Sequence, residues 1–334
     1  MLIALSACEH TVSTETFVHP DGSLDKVISC EQKDTTRNLW GLETGQGWRK
    51  YVQAAKDSAG NPRKDTWVVR CERSFASVDE ANAQLATDSD TLLRMTSHFE
   101  KKFRWFYTYL HYSETIHALN NMAMPPTDYL PPEDYAFIDR LPAEGQPISK
   151  ADQLFLDRLQ SRIYDDYGMR AYLEEYLSIA EGVLRAQGME QHWLDTLNKH
   201  KDHLLMLAQQ KDVEENFLVE AMDSLGLPID RNRVTMALKE AARPFEAKVN
   251  FISTASDGTY HHRIQLPWKV GETNADSVAG QDLFWSPPTI KFLLRDYTMY
   301  GQSRKLNGWA VVLSIGLVAV TVYAFAKKKG SNTF

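Results

Sequence analysis

Residues 92–116 have the sequence LLRMTSHFEKKFRWFYTYLHYSETI, which is dominated by aromatic side chains. Successive side chains of a β-strand point to opposite faces of its sheet. One predicted face carries Phe103, Trp105, Tyr107 and Tyr109, and the other carries Phe106, Leu110 and Tyr112. This density of apolar groups predicts a strand that is covered on both sides.

The aromatic face has two interpretations. A stripe of this kind often packs in a core, whereas Tyr and Trp also supply amphipathic walls for apolar ligands. On the second interpretation the candidate ligand-pocket residues are Phe103, Trp105, Tyr107 and Tyr109. Glu114, near the end of the same segment, is a candidate orienting group in that pocket, and a solvent-exposed carboxylate is the alternative.

The segments before this strand predict more β-structure. Residues 11–31 predict a hairpin, because two β-rich runs flank the turn signal His19-Pro20-Asp21-Gly22-Ser23. A short helix is predicted near Trp48–Ala55, and residues 65–75 predict a strand. Ser77-Val78-Asp79-Glu80 has the form of a capping box, which predicts that a short helix begins there.

The segments after this strand change character. Residues 117–131 are rich in proline, which cannot continue a strand. Residues 132–243 predict four or five helices, because apolar side chains recur with a period of 3.6. Strand signals return from Phe245, in FEAKVNFIST, YHHRIQLP and DLFW. The predicted fold class is α+β, with a mostly antiparallel sheet from residues 11–116 and 245–300 that is interrupted by the helical insertion.

Residues 309–326, WAVVLSIGLVAVTVYAFA, contain no charged side chain and predict a transmembrane helix. At about 1.5 Å per residue the segment spans about 27 Å, near the thickness of a bilayer core. Trp309 and Tyr323 lie near its ends, where aromatic rings prefer the headgroup region, and the basic residues Lys327, Lys328 and Lys329 follow it. A buried core helix and an amphipathic surface helix are the alternatives.

The N-terminal sequence Leu5-Ser6-Ala7-Cys8 has the form of a bacterial lipobox, in which Cys8 becomes the lipid-modified residue. The seven residues before Cys8 lack a basic n-region, so residues 1–8 are interpreted as a partial lipoprotein signal peptide. An ordinary N-terminus with an unmodified Cys8 is the alternative.

The other two cysteines, Cys30 and Cys71, each lie in a predicted strand. A disulfide between them would fit an oxidising compartment. Two unrelated buried thiols are the alternative.

These patterns divide the chain into six segments. In order, they are the partial signal with its lipobox (1–8), the N-terminal part of the β-rich domain (9–131), the helical insertion (132–243), the C-terminal part of the β-rich domain (244–303), the transmembrane helix (306–326) and a basic tail (327–334).

Composition and charge exclude two classes of protein. With 43% hydrophobic and 24% charged residues among 334, the chain is globular and not disordered as a whole. The net charge is −7, but residues 304–334 hold five basic side chains and no acidic ones. Residues 1–303 therefore carry a net charge of −12, from 32 basic and 44 acidic side chains. A body this acidic is a poor binder of nucleic acid.

Motifs for catalysis, cofactors or metals are not evident. His200 and His203 share a predicted helix face with His192, but no HExxH or Cys-rich signature accompanies them, so they are interpreted as surface histidines. The sequence contains no GxSxG, P-loop or GxGxxG motif. The sequence therefore predicts no catalytic residue, no metal and no cofactor.

Several loose motifs together resemble the LppM-like bacterial membrane lipoproteins. They are the lipobox LSAC, the hairpin turn at His19–Ser23, Gln265-Leu266-Pro267, Thr273-Asn274-Ala275 before Asp282-Leu283-Phe284-Trp285, and the closing apolar helix with its basic tail. The likeness covers the two β portions, about half of the chain. The turn after Pro267 is longer than is typical of the family, and the helical insertion has no counterpart there. The resemblance implies an envelope α+β domain able to bind lipid, and it implies no catalytic residue.

These observations favour a non-enzymatic lipoprotein of the bacterial inner membrane, with its body in the periplasm and a short cytoplasmic tail. Its expected partners are the membrane and a lipid or other amphipathic ligand, without nucleic acid. One alternative is a structural protein whose helical insertion docks a partner in an envelope complex. The other is an unrecognised hydrolase.

Overall fold

The computed structural model describes residues 10–33, 42, 47–57, 59–87, 89–210 and 217–331. In this part of the chain eleven strands form two sheets. In chain order the strands are β1 (Thr11–Val18), β2 (Leu24–Gln32), β3 (Arg49–Lys56), β4 (Pro62–Phe75), β5 (Met95–Phe103), β6 (Tyr107–Ile116), β7 (Thr259–Gln265), β8 (Lys269–Thr273), β9 (Ser277–Ala279), β10 (Asp282–Trp285) and β11 (Tyr297–Leu306).

The large sheet has seven strands in the order β3-β4-β2-β1-β7-β10-β9. Its neighbours are antiparallel except for β1 and β7, which run parallel with Thr11 opposite Thr259. A parallel pair needs a long crossover, and residues 19–258 between the two strands supply it. The small sheet has four antiparallel strands in the order β5-β6-β11-β8. The predicted α+β class is confirmed, although the strands are divided between two sheets.

Two local predictions near the N-terminus have opposite outcomes. The hairpin over residues 11–31 is confirmed: Asp21 accepts from Ser23 in the turn, and Gly22 adopts a positive φ of 93°. The helix predicted near Trp48–Ala55 is wrong, because this segment is β3 and pairs with β4. Its YVQAAK run is compatible with a helix, so tertiary pairing decides the conformation.

The aromatic segment forms a hairpin and not the single predicted strand. Strands β5 and β6 are joined at Arg104-Trp105-Phe106, where the Arg104 amide donates to the Tyr107 carbonyl at 2.7 Å. No glycine or proline marks this turn in the sequence. Phe103 and Trp105 are consequently at the tip of the hairpin, whereas Tyr107 and Tyr109 lie on a sheet face.

The two sheets pack face to face, and Gly301 of β11 lies close against the large sheet. A methyl group added at Gly301 would collide with Leu283 Cδ1 and lie 3.0 Å from Leu266 Cδ1. Leu283 and Leu266 are fully buried, on the large sheet and just after it. Only glycine therefore allows this spacing without repacking.

We expect Gly301→Ala to reduce the free energy of unfolding by about 1–3 kcal/mol, because overpacking displaces neighbouring side chains. Urea unfolding of the detergent-solubilised protein measures it. Gly182→Ala is the matched control, because nothing lies within 4 Å of the added methyl in that helix. The control should stabilise by about 0.5–1 kcal/mol, since glycine is a poor helix former. Equal effects of the two changes would contradict the close packing.

Ten α-helices are described. They are α1 (Val78–Leu85), α2 (Pro132–Arg140), α3 (Lys150–Ser161), α4 (Met169–Ala186), α5 (Gln191–Lys199), α6 (Lys201–Gln210), α7 (Phe217–Ser224), α8 (Arg231–Ser256), α9 (Ile290–Leu293) and α10 (Gly308–Ser331). The helix predicted after Ser77 is confirmed as α1, and the Ser77 hydroxyl accepts from the Glu80 amide. Within the described residues, seven helices, α2 to α8, fill the insertion, where four or five were predicted.

Helix α8 continues through the segment that was predicted to be a strand. FEAKVNFIST lies inside this 26-residue helix, which contains Pro244. Its buried positions Phe245, Lys248, Phe251 and Ala255 recur every three or four residues, which is the helical period. Phe245 packs in a core formed by the helices, whereas Phe251 and Ala255 belong to the core of the sheets. Helix α8 thus joins the two hydrophobic cores.

The predicted disulfide between Cys30 and Cys71 is not formed in the structure. In the register of β2 with β4, Cys30 lies opposite Val69, and Cys71 lies opposite Ile28. The two cysteines are therefore diagonal neighbours, and such Cα atoms are about 7–8 Å apart, beyond the usual reach of a disulfide. The Cys30 thiol donates instead to Gln32 Oε1.

The C-terminal helix α10 is apolar and long enough to cross a membrane. Its window Gly308–Phe325 has a mean hydropathy of 2.0, and only 6% of that window is buried. A buried core helix is therefore excluded. Strand β11 leads into it with Asn307 as the single residue between them.

Candidate functional site

Asn307 fixes the apolar helix to the small sheet. Its side-chain amide donates to the carbonyls of Arg104 and Trp105 at 2.8 and 3.2 Å, and its Oδ1 accepts from the Thr108 hydroxyl. Its backbone amide donates to the Phe106 carbonyl. Because Asn307 is nearly buried, these bonds are protected from water. The β5–β6 hairpin and the start of α10 therefore form one unit.

Four exposed aromatic side chains lie at the hairpin tip and at the start of α10, and we call them the tip cluster: Phe103, Trp105, Phe106 and Trp309. Phe103 stacks on Trp309 with ring centroids 6.1 Å apart, and Trp105 meets Trp309 edge to face at 5.5 Å. The Trp105 indole also donates to the Ser314 hydroxyl at 2.9 Å. Each of the four side chains is at least 46% exposed, so the cluster presents apolar surface to its surroundings.

An open groove of about 470 Å³ lies beside the tip cluster. We call it the root groove, and it is lined by Lys102, Arg104, Trp105, Phe106, Tyr107, Tyr109 and Gln302. Tyr107 and Tyr109 point out of the small sheet, because their neighbours Leu110 and Tyr112 occupy the buried face. Three of the predicted pocket residues, Trp105, Tyr107 and Tyr109, therefore line one groove. Phe103 does not line it and belongs to the tip cluster alone.

Cations are placed beside the aromatic rings of the root groove. Lys102 lies opposite Tyr109 on one side, and Arg304 of β11 lies opposite Tyr109 on the other. The Arg304 guanidinium is 5.2 Å from the centre of the Tyr107 ring, a cation–π distance. Groups that bind anions and groups that bind apolar surface are thus interleaved at the root of an apolar helix.

Glu114 does not belong to the groove, and its prediction as a pocket residue is corrected. It lies on the inner face of β6 and is fully buried. Its Oε1 accepts from the Lys26 ammonium at 2.7 Å, the Thr16 hydroxyl at 2.6 Å and the Tyr112 hydroxyl at 2.7 Å. Lys26 is also fully buried, on β2 of the large sheet. The ion pair therefore joins the inner faces of the two sheets.

The environment of Glu114 has opposing effects on its pKa. Burial raises the pKa of Glu114, but the Lys26 ammonium and the hydroxyl donors lower it by more. The pKa of Glu114 is therefore below its usual value. Nearby His262 on β7 donates to or accepts from the Thr14 hydroxyl at 2.7 Å. Burial lowers the pKa of His262 to about 3, so its ring is neutral at ordinary pH. This acid, base and lysine are closed off from solvent.

The remaining predicted site residues have separate positions. Tyr323 is an exposed residue of α10, and the backbone of Lys327, Lys328 and Lys329 continues that helix. Cys8 lies outside the described residues. His261 and His262 point to opposite faces of β7, one exposed and one buried. The described residues contain no group of three or more acidic, histidine or cysteine side chains that could hold a metal.

Sequence reasoning missed three residues that build the site. Lys26 alternates with Leu24 and Ile28 in β2, so the pleat itself indicated that its side chain is buried. Asn307 interrupts the passage from strand to apolar helix, which is a polar signal at a junction. Ser314 carried no such signal, because a lone serine in an apolar helix is ordinary.

Comparisons with known proteins give little further information. No protein-family model matches the chain, and no curated protein is similar to it in sequence. A search of solved structures finds a similarity to the folded domain of LppM from Mycobacterium tuberculosis, determined by NMR. The match covers 89% of this chain and 91% of that chain, with 8% sequence identity and a TM-score of 0.27. At that TM-score the similarity is a loose resemblance of fold, and it says nothing about what this chain binds.

Proposed function

We propose that this chain is a membrane-anchored, non-enzymatic protein of the bacterial envelope, which binds an amphipathic lipid in the root groove. The observation that carries the proposal is the position of the groove, which opens where an exposed apolar helix leaves the small sheet. A site there would be level with the headgroups of the bilayer that the helix enters.

The tip cluster supports the placement of the root groove at the level of the headgroups. Ser314 is six residues beyond Gly308, or about 9 Å along the helix. Its bond with Trp105 therefore holds the hairpin tip alongside the first two turns of the apolar segment. Trp side chains favour the interface between headgroups and hydrocarbon, where an apolar ring and a polar N–H are both accommodated. The hairpin and α10 would enter this layer together.

The lining of the root groove favours a lipid with an anionic headgroup. Lys102 and Arg104 in the lining and Arg304 beside the Tyr107 ring supply positive charge, although the body of the protein is acidic. Tyr107 and Tyr109 supply flat apolar walls for an acyl chain or glycerol backbone. Because the groove is open, we expect exchangeable binding of one lipid and not permanent enclosure.

The proposed topology uses both ends of the chain. Cys8 would be lipid-modified, the body would lie in the periplasm, and the lysines after α10 would be cytoplasmic, in accord with the positive-inside rule. Mass spectrometry of the protein extracted from membranes tests the lipid. An unmodified Cys8 would contradict the lipoprotein part of the proposal.

The two alternatives receive less support. In the described part of the helical insertion, the exposed large apolar side chains are few: Leu154, Tyr164, Met206 and Met236. A hydrolase needs an acid and a base within a cleft, whereas Glu114 and His262 are sealed between the sheets. A binding role is therefore the stronger proposal.

Lipid titration of the full chain in detergent micelles tests the groove. We expect phosphatidylglycerol to bind more tightly than phosphatidylcholine with the same acyl chains, as measured by native mass spectrometry. Tyr109→Ala should weaken phosphatidylglycerol binding about tenfold, because losing one aromatic wall removes roughly 1.5 kcal/mol of apolar contact. Tyr164→Ala removes a more exposed tyrosine outside the groove and should have no effect. Equal binding of the two lipids, or equal effects of the two variants, would overturn the proposal.

A further inference from the structure

A second pocket, of about 540 Å³, lies at the other end of β11 from the membrane helix. Its walls come from the end of α2, the loop after β8 and the segment from α9 into β11. Tyr297, at this end, and Leu306, at the helix end, are nine residues apart in one strand, or about 30 Å. The pocket is therefore well removed from the membrane surface and faces the aqueous side.

Lys291 is a charged residue of this pocket without an ion-pair partner among the described residues. Its side chain is on α9 and only 8% exposed, yet it has no hydrogen bond or ion pair with any residue that the structure describes. The Lys291 Nζ lies over the Tyr297 ring, 5.9 Å from its centre. This Nζ is not sealed from solvent, so the ammonium is free to donate to a group that enters the pocket.

The other charged groups of the pocket already have protein partners. Arg295 forms an ion pair with Asp139. Asp296 accepts from the His117 ring and the Ala118 amide, and Asp276 accepts from the Ser286 amide at 2.7 Å. The group left for a ligand is thus an ammonium donor, which calls for an anionic oxygen.

We propose that this pocket binds a small, water-soluble carboxylate whose oxygens accept hydrogen bonds from Lys291. The site is separate from the root groove and goes beyond the proposed lipid binding. A monoanion fits better than a phosphate dianion, because three carboxylates and only one other cation line the same pocket. The distance from the membrane helix argues against a lipid headgroup as the source.

The direction of the Lys291 pKa is consistent with an ammonium that has no anionic partner in the protein. Burial lowers the pKa of Lys291, and the nearby Arg295 lowers it as well. Asp276 and Asp139 raise it, but they only partly oppose the effect of burial. A bound carboxylate would favour the charged ammonium and so relieve this cost.

Reductive methylation of the full chain in detergent micelles, read lysine by lysine with mass spectrometry, tests the site. Acetate, at about ten times its dissociation constant, should slow the methylation of Lys291 about tenfold, because roughly one site in eleven stays empty. Exposed Lys150 is the control and should react at an unchanged rate. Ionic strength is held constant with sodium chloride, and inorganic phosphate is the competing probe.

Thermal unfolding provides a second readout. The same acetate concentration should raise the unfolding midpoint by about 3 °C in the wild type and in Lys150→Met, and not in Lys291→Met. Without acetate, Lys291→Met should be at least as stable as the wild type, since no partner is left unpaired. Phosphate protection stronger than that of acetate, an equal shift in all three proteins, or no protection of Lys291 would overturn the proposal. Lipid binding by Lys291→Met should be normal, so a failure here is distinct from a failure of the root groove.

Discussion

Glu114→Ala should lower the free energy of unfolding by about 3–5 kcal/mol, because it leaves the buried Lys26 ammonium without its counter-charge. Lys26 would retain only the Thr16 hydroxyl at 3.1 Å and the Met95 sulfur as acceptors. The Tyr112 hydroxyl would also lose an acceptor between the sheets. Urea unfolding of the detergent-solubilised protein measures this loss.

A double variant separates the charge from the packing. Lys26→Met combined with Glu114→Leu removes both charges and keeps apolar volume, so it should be far more stable than Glu114→Ala alone. Ser113→Ala, on the outer face of the same strand, is the control and should change stability by less than about 0.5 kcal/mol. If Glu114→Ala proved as mild as Ser113→Ala, the ion pair would not hold the two sheets together.

The same pair gives the protein a defined pH dependence. The pKa of Glu114 is lower in the folded chain than in the unfolded chain. Its contribution to stability is therefore present above the unfolded pKa and is lost as the pH falls through the folded pKa. The wild type should lose more stability on acidification than the Lys26→Met, Glu114→Leu double variant, as followed by urea midpoints across the acid range.

Local signals identified much of the secondary structure. The His19–Ser23 turn and the Ser77 cap each satisfy backbone groups within a few residues, so the sequence alone determines them. The apolar helix was predictable for the same reason, since its length and composition need no tertiary partner. What these segments share is that distant residues do not decide their conformation.

The wrong predictions are in segments that tertiary contacts decide. Residues 49–56 are a strand because β4 pairs with them, and residues 245–256 are helical because one face fits two cores. Pro244 lies inside this helix and leaves the Glu240 carbonyl without a backbone donor, a cost that packing on both sides can offset. The turn at Arg104-Trp105-Phe106 had no glycine or proline, so one strand was predicted where the chain reverses.

Part of the candidate site follows from alternation, and part does not. Tyr107 and Tyr109 were placed on one face because alternation holds within β6. Phe103 and Trp105 were assigned to that face too, but the reversal moves them to the hairpin tip. Glu114 was associated with the aromatic residues by proximity in sequence, whereas the pleat turns it toward Lys26 on the other sheet. Long-range pairs of this kind require the register between strands.

Strand β11 connects the features that the proposals depend on. Its first residue, Tyr297, borders the Lys291 pocket, and its later residue Gln302 lines the root groove. Arg304 lies beside the Tyr107 ring of that groove. Gly301 between them sets the distance to the large sheet. A change in the middle of this strand should therefore affect both sites, whereas a change at either end should affect one.

Leu317→Arg should release the C-terminal helix from the membrane. Leu317 is 59% exposed near the middle of the apolar window, where its side chain would face lipid. An arginine at the centre of a spanning helix costs about 2.5–3.5 kcal/mol on insertion scales, which is roughly a hundredfold in the inserted population. Because Leu317 lies beyond Ser314, the residue of α10 that bonds the hairpin tip, the body of the protein should unfold at an unchanged temperature.

The release must be measured without the second proposed tether, since a lipid on Cys8 would hold the variant at the membrane. Both Leu317→Arg and the control Leu317→Ala are therefore made in a Cys8→Ser background. Alkaline carbonate should then extract the arginine variant and leave the alanine control in the pellet. If the arginine variant resists extraction as well as the control does, α10 does not span the membrane, and the position of the root groove at the headgroups loses its basis.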